Sequence, residues 1–246
     1  MKTAAALAFA LTLPLATAAW AQPPVACPVR ADAVIDNGGL TKSRAAVAGG
    51  RLTILAMGSS SIEGVGASRP DLGFVPLLQA GLERRLPDVD VTVINKGIGG
   101  ETAKETADRL AVEIAANTPD LVIWQLGTND VLRDRTIDAF FGDFRRGQGL
   151  LDRAGVDVLL IDPQRLPEAT TNPAFKGRNP ALGETARLID LEGGRVGYAV
   201  LRRFDAMADW GGLDRGGVGP DDLHLNDQGY ACWAEITAEG LAAALR

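Results

Sequence analysis

Four short apolar runs recur along the chain, at residues 51–57, 89–95, 120–126 and 156–161, and each ends in a turn of small or polar residues. The runs are continuous in Ile, Val and Leu rather than alternating with polar residues. That is the pattern of strands buried on both faces of a parallel sheet. Parallel strands need long crossovers, and the intervening segments supply them as amphipathic helices. Leu78, Leu82 and Leu86 recur at helical spacing after Pro76, which suits a first helical turn. Ala103, Ala107, Leu110 and Ile114 form a second stripe, opened by a Thr102/Glu105 capping box. Ile137, Phe140 or Phe141, Phe144 and Leu151 form a third, weakened by Gly142, Gly147 and Gly149. Residues 181–192 predict a further helix ended by Gly193-Gly194, followed by a fifth strand at 196–201. The last helix starts near Asp227 behind an Asn226 cap, with Tyr230, Trp233, Thr237 and Leu241 on one face.

Strands alternating with helices predict a doubly wound α/β domain with helices on both faces of the sheet. No internal repeat or domain-length linker interrupts it. The expected organisation is a signal peptide at 1–21, an extension at 22–50 with about one helical turn at 43–48, and one domain at 51–246. The leader is read from Met1-Lys2, an apolar stretch over 4–18, and the small residues of Ala19-Trp20-Ala21. The stretch is too short and Ala-rich to favour a membrane span. Export to the periplasm or the exterior is therefore expected. The two cysteines, Cys27 and Cys232, then allow a disulfide tying the mature N-terminus to the last helix.

The formal charge is −6 and no Lys/Arg block occurs. That argues against nucleic acid or an anionic membrane surface as partner. A single histidine and no closely spaced cysteines leave a zinc site dependent on carboxylates, so no metal is expected. Gly97-x-Gly99-Gly100 lacks the dinucleotide-binding spacing, no Gly-Lys-Ser/Thr loop appears, and no cofactor is expected.

What remains is acid–base and nucleophilic chemistry at the carboxyl ends of the strands, where open α/β sheets place their sites. The first strand runs into Gly58-Ser59-Ser60-Ser61. The second runs into residues 95–100, the third into Gly127-Thr128-Asn129-Asp130, and the fourth into Asp162-Pro163-Gln164. Ser60 can supply a nucleophilic hydroxyl, with Ser59 and Ser61 as alternatives. His224, the only histidine, can carry the proton. Asp221 can hold its tautomer, with Asp222 as the alternative. The amides of Ser60 and Gly100 and the side chain of Asn129 can converge on a developing oxyanion. Gln164, Arg165 and Arg178 are candidate polar contacts to substrate on a segment bordering the site.

In these blocks the chain resembles the SGNH (GDSL-like) hydrolase family. Gly58-Ser59-Ser60-Ser61-Ile62-Glu63-Gly64 is similar to the nucleophile block, with the family serine at Ser60. Residues 95–102 are similar to the second block, with the oxyanion glycine at Gly100. Gly127 to Asp130 match Gly-x-Asn-Asp, and Asp221 with His224 match Asp-x-x-His. Ser59 departs from the aspartate of the family's name motif, which alters support of the turn but not the triad. The resemblance implies a flavodoxin-like three-layer sandwich around a central parallel sheet of about five strands. It also implies a serine esterase working through an acyl-enzyme on a small-molecule or carbohydrate ester. Short acyl groups, including O-acetyl on sugars, are the first expectation. A lysophospholipase or acyl-thioesterase is the second, and an inactive carbohydrate-binding module on a hydrolase fold the third.

Overall fold

A computed structural model describes Pro28 and residues 31–246. The signal peptide and Cys27 expected from the sequence lie outside the described residues. Six strands form one sheet: β1 (Val34–Ile35), β2 (Arg51–Gly58), β3 (Asp90–Gly97), β4 (Leu121–Gln125), β5 (Asp157–Ile161) and β6 (Ala199–Leu201), in the order β1-β6-β5-β4-β2-β3. All neighbours among β2 to β6 are parallel, and β1 runs antiparallel to β6.

The helices are α1 (Thr41–Ala48), α2 (Ser60–Glu63), α3 (Phe74–Arg85), α4 (Ala103–Asn117), α5 (Thr128–Leu132), α6 (Ile137–Ala154), α7 (Asn179–Val196), α8 (Arg203–Ala206) and α9 (Asp227–Ala244). Successive strand residues point to opposite faces, so each strand feeds two cores. Leu52, Ile54 and Ala56 pack with α3 and α9 on one face. Leu55 and Met57 pack with α4 and α6 on the other. This is the three-layer α/β sandwich expected, with one strand more. The added β1 pairs only Val34 with Leu201 and Ile35 with Val200, too short a ladder to leave a periodic signal. The segment behind it is also packed down, since Leu40 and Ser43 are fully buried. Ser43 donates from its amide and its hydroxyl to Asp157 Oδ2, at 2.7 and 2.8 Å.

Two helices run through glycines expected to weaken one and to end the other. Helix α6 continues across Gly147, where a Cβ would lie 2.3 Å from Trp124 Cη2. Helix α7 continues past Gly193-Gly194 to Val196, and a Cβ at Gly193 would lie 2.4 Å from Val200 Cγ2. Both glycines are notches that let helix backbone approach the sheet, and the helix propensity they cost is about 1 kcal/mol each. The turn that ends α7 falls at Gly197 instead.

The strand order reverses beside β2. The chain steps outward from β2 to β3, then returns to β2's other side for β4. A crevice forms at the carboxyl end of the strands at such a reversal. The residues after β2 and β4 therefore face each other there. Among the described residues, no helix is long and apolar enough to cross a membrane.

Candidate active site

Strand β2 delivers the three serines into a tight turn. Ser59 donates from its amide and its hydroxyl to Gln125 Oε1, at 2.9 and 3.0 Å. Gln125 is the buried last residue of β4. A neutral amide on the neighbouring strand thus braces the turn where the family's name motif carries aspartate. Ser59 and Ser61 are buried, whereas Ser60 is partly exposed at the start of α2. Of the three hydroxyls, Ser60 is the one solvent reaches. Its carbonyl accepts the amides of Gly64 and Val65, at 2.9 and 3.0 Å.

The loop after β3 folds over this turn. Ile98 N–H donates to Gly58 O at 3.0 Å. A Cβ on Gly99 would lie 3.9 Å from Ser60 Cβ. Gly100 has φ +80°, the left-handed region that glycine enters without strain. Its carbonyl accepts from Arg133 Nη2 at 2.7 Å, which fixes the peptide. Glu101 is gripped by Arg109 through Nε–Oε1 at 2.8 Å and Nη2–Oε2 at 2.7 Å. Thr102 donates to Glu105 from its amide and its hydroxyl, so the capping residues expected at the start of α4 are engaged.

After β4, Gly127 turns the chain into α5. Asn129 Nδ2 donates to Glu101 O at 2.9 Å, which sets its side chain beside Gly100. A side-chain amide carries two N–H groups, so one hydrogen remains for a ligand. Asp130 accepts from Ala103 N–H at 3.0 Å and faces Arg135. Burial nevertheless pushes its carboxyl up. The amides of Ser60 and Gly100 have no acceptor among the described residues. Two backbone donors and one side-chain donor are thus carried by turns that touch.

Asp221 and His224 lie in the loop between α8 and α9. Asp221 Oδ1 accepts the amides of Leu223 and His224, at 3.1 and 3.0 Å. Its Oδ2 lies 2.5 Å from His224 Nδ1. Partial burial works to raise the Asp221 carboxyl, but the His224 ring and the two amides outweigh it and hold it below its usual range. Asp222 is turned away at φ +60° and binds Arg215 at 2.5 Å and Thr170 Oγ1 at 2.8 Å. The partner of the histidine is therefore Asp221.

The histidine loop touches the segment that follows α2. A Cβ on Gly66 would lie 2.9 Å from His224 Cβ. Tyr230 of α9 donates to Val65 O at 2.6 Å. No hydrogen bond joins Ser60 Oγ to His224 among the described residues. Catalytic hydrogen bonds of unliganded sites are often long and tighten when substrate binds.

The three candidate substrate contacts are placed differently from one another. Gln164 is buried, and both ends of its amide meet protein groups. Arg165 stacks 4.4 Å over the Phe204 ring and pairs with Glu168 at 3.2 Å. It lines a cavity of 260 Å³ with Glu168, Met207, Trp210 and Arg215. Arg178 pairs with Asp134, tying the start of α7 to the end of α5. The supports Gln125, Arg109 and Arg133 were not singled out by sequence reasoning. Gln125 alone left a signal, as a polar residue inside an otherwise apolar strand.

Residues 26–243 match the non-GDSL lipase-like family. An arylesterase of Vibrio mimicus is 35% identical over 72 residues, 29% of this chain and 36% of that protein. An acetylxylan esterase of Geobacillus stearothermophilus is 32% identical over 82 residues, 30% of this chain and 37% of that protein. This chain thus spans little more than a third of the length of either relative. Among solved structures, TesA superposes with a TM-score of 0.64 at 24% identity, over 79% of this chain and 99% of that one. A two-domain esterase active on acetylated mannans superposes with a TM-score of 0.63 at 24% identity, over 87% of this chain and 56% of that one. At these identities the superpositions speak for the shared fold. With the family match covering nearly all of the described residues, the chain belongs to the non-GDSL lipase-like family, among the SGNH/GDSL-like hydrolases.

Proposed function

We propose that the chain is an exported serine esterase that removes short acyl groups, acetyl foremost, from carbohydrate. The observation that carries this reading is the Asp221–His224 pair, at 2.5 Å, in a loop packed against Gly66 just beyond the serine turn. Ser60 Oγ attacks the ester carbonyl carbon while His224 Nε2 takes the hydroxyl proton. Asp221 holds Nδ1–H and stabilises the imidazolium that forms. The negative charge on the former carbonyl oxygen faces the amides of Ser60 and Gly100 and the free N–H of Asn129. As the C–O bond to the alcohol breaks, His224 returns its proton to the leaving oxygen. Water, deprotonated by His224, then attacks the acyl-serine. The carboxylic acid leaves and ionises in solvent, and Ser60 takes the proton back from His224.

Two apolar side chains, Val65 and Ile98, stay exposed beside the serine turn. They offer a small apolar rim rather than a buried channel, which fits a short acyl chain. The similarity to an acetylxylan esterase and to an esterase active on acetylated mannans supports a sugar as the alcohol. The test is a chain-length series of p-nitrophenyl esters with acetate release from acetylated xylan or mannan. Rates that fall beyond butyrate, with acetate released, are expected. Sustained rates on long chains would replace this reading with lipid or acyl-thioester hydrolysis. Equal inertness of wild type and Ser60→Ala would leave a binding module.

A further inference from the structure

Gln164 follows β5 by three positions and is 2% exposed, although its side chain is polar. Its amide is used at both ends. Oε1 accepts from Ser61 Oγ at 3.4 Å, and Nε2 donates to Leu223 O at 2.5 Å. Its own backbone N–H donates to Thr128 Oγ1 at 3.2 Å. Each partner is the chain neighbour of a group the reaction needs: Ser61 of Ser60, Leu223 of His224, Thr128 of Asn129. The Leu223 side chain packs with Leu166, Leu182 and Phe204, so the residue before His224 is held by its carbonyl and its side chain together.

We infer that Gln164 is a positioning residue that sets the spacing between the serine turn and the histidine loop. This rests on the esterase reading. A neutral amide suits this place, because it accepts from a hydroxyl and donates to a carbonyl at once. A carboxylate would set an acceptor against Leu223 O. An alkyl chain would leave a buried carbonyl and hydroxyl without partners. Both ends of the amide are bonded to protein and the side chain is buried away from solvent, so its effect reaches the reaction through Ser60 and His224. A shift of about 1 Å between reacting groups can cost roughly 100-fold in rate.

The test uses the full chain and three variants: Gln164→Leu, Gln164→Glu and Gln164→Asn, the last keeping the amide one methylene short. With p-nitrophenyl acetate, kcat should fall about 10- to 100-fold in each, with KM changed less than about threefold. The rate of covalent labelling by a fluorophosphonate should fall by a similar factor. Folding is checked by circular dichroism and thermal melting, and Gln164→Asn keeps the test alive where Gln164→Leu fails to fold. Folded variants that keep kcat within about twofold would overturn the inference while leaving the esterase reading intact. A raised KM on acetylated oligosaccharides with unchanged kcat would also overturn it, by making Gln164 a substrate contact. Wild-type protein inert to both probes would instead remove the esterase reading, and this inference with it.

Discussion

The donors proposed to face the oxyanion sit just past the carboxyl ends of the neighbouring strands β2, β3 and β4, whereas Asp221 and His224 ride on a loop of short 3-10 turns between α8 and α9. The first region is held by bonds between segments far apart in sequence. Gln125 braces Ser59, Asn129 reaches Glu101 and Asp130 reaches Ala103, while Arg109 adds a clamp on Glu101 from within the same segment. The second is held mostly by bonds within itself. Gly219 N–H donates to His224 O at 2.7 Å, Asn226 N–H to Gly217 O at 3.0 Å, and Val218 bridges Leu225. Its ties to the rest of the site are few, chiefly Gln164 to Leu223, Thr170 to Asp222 and the packing of Gly66 on His224. Both regions are rooted in the core, the loop through Trp210, Leu213, Val218 and Leu225, but the oxyanion cradle is tied by long-range hydrogen bonds and the histidine loop mostly by local ones.

If both regions act on one reaction, the largest losses must come from the groups they bring together. Ser60→Ala and His224→Ala should each reduce kcat/KM on p-nitrophenyl acetate by about 10⁴-fold or more, and the double variant by little beyond either. Additive losses would break the proposed unit. Asn129→Ala removes one donor from the cradle and should lower kcat by about 10²- to 10³-fold with the fold intact.

The contrast in how the regions are held predicts a smaller, graded pair. Arg109 and Glu101 are 18% and 11% exposed, so Arg109→Met leaves a largely buried carboxylate unpaired. It should cost about 3 kcal/mol and lower the melting temperature by several degrees. Arg215 is 47% exposed, and Arg215→Met should cost less than about 1 kcal/mol, with kcat changed less than about threefold. Hydrogen exchange should then quicken over residues 215–224 and stay unchanged over 58–64. Equal responses of the two regions would erase the distinction.

A separate effect, read through pH, lies at the root of the histidine loop. Asp162 is fully buried and accepts from Phe204 N–H at 2.9 Å. Burial pushes its carboxyl up to about 8, against the pull of that amide and of Arg203. The folded state therefore binds a proton that the unfolded chain releases near pH 4. This contribution is complete at low pH and is lost progressively as pH rises from about 4 to 8. In Asp162→Asn the thermal midpoint should decline less between pH 5 and 8 than in wild type. Parallel declines would show that Asp162 is ionised in the fold.

The strands, the helix caps and the four site segments were legible because each leaves a local mark. Apolar runs mark β2 to β5, Thr102 with Glu105 opens α4, and Asn226 opens α9. Features that depend on distant partners left none. The two-residue β1 is a strand only because β6 lies beside it. Gly147 reads as a weak point and Gly193 as a helix end because the ring and methyl they make room for come from other elements. The polar character of Gln164 suggested a ligand contact, and only its burial and its partners reveal an internal brace. The Asp-x-x-His spacing pointed to Asp221 with Asp222 as the alternative, and the backbone turns Asp222 at φ +60° toward Arg215 and Thr170.

The most direct measurement is covalent labelling of the folded protein with a fluorophosphonate, followed by peptide mapping of the modified side chain. The account predicts one adduct, on Ser60, abolished in His224→Ala and in unfolded protein. An adduct on another serine, or none on active wild-type enzyme, would contradict it.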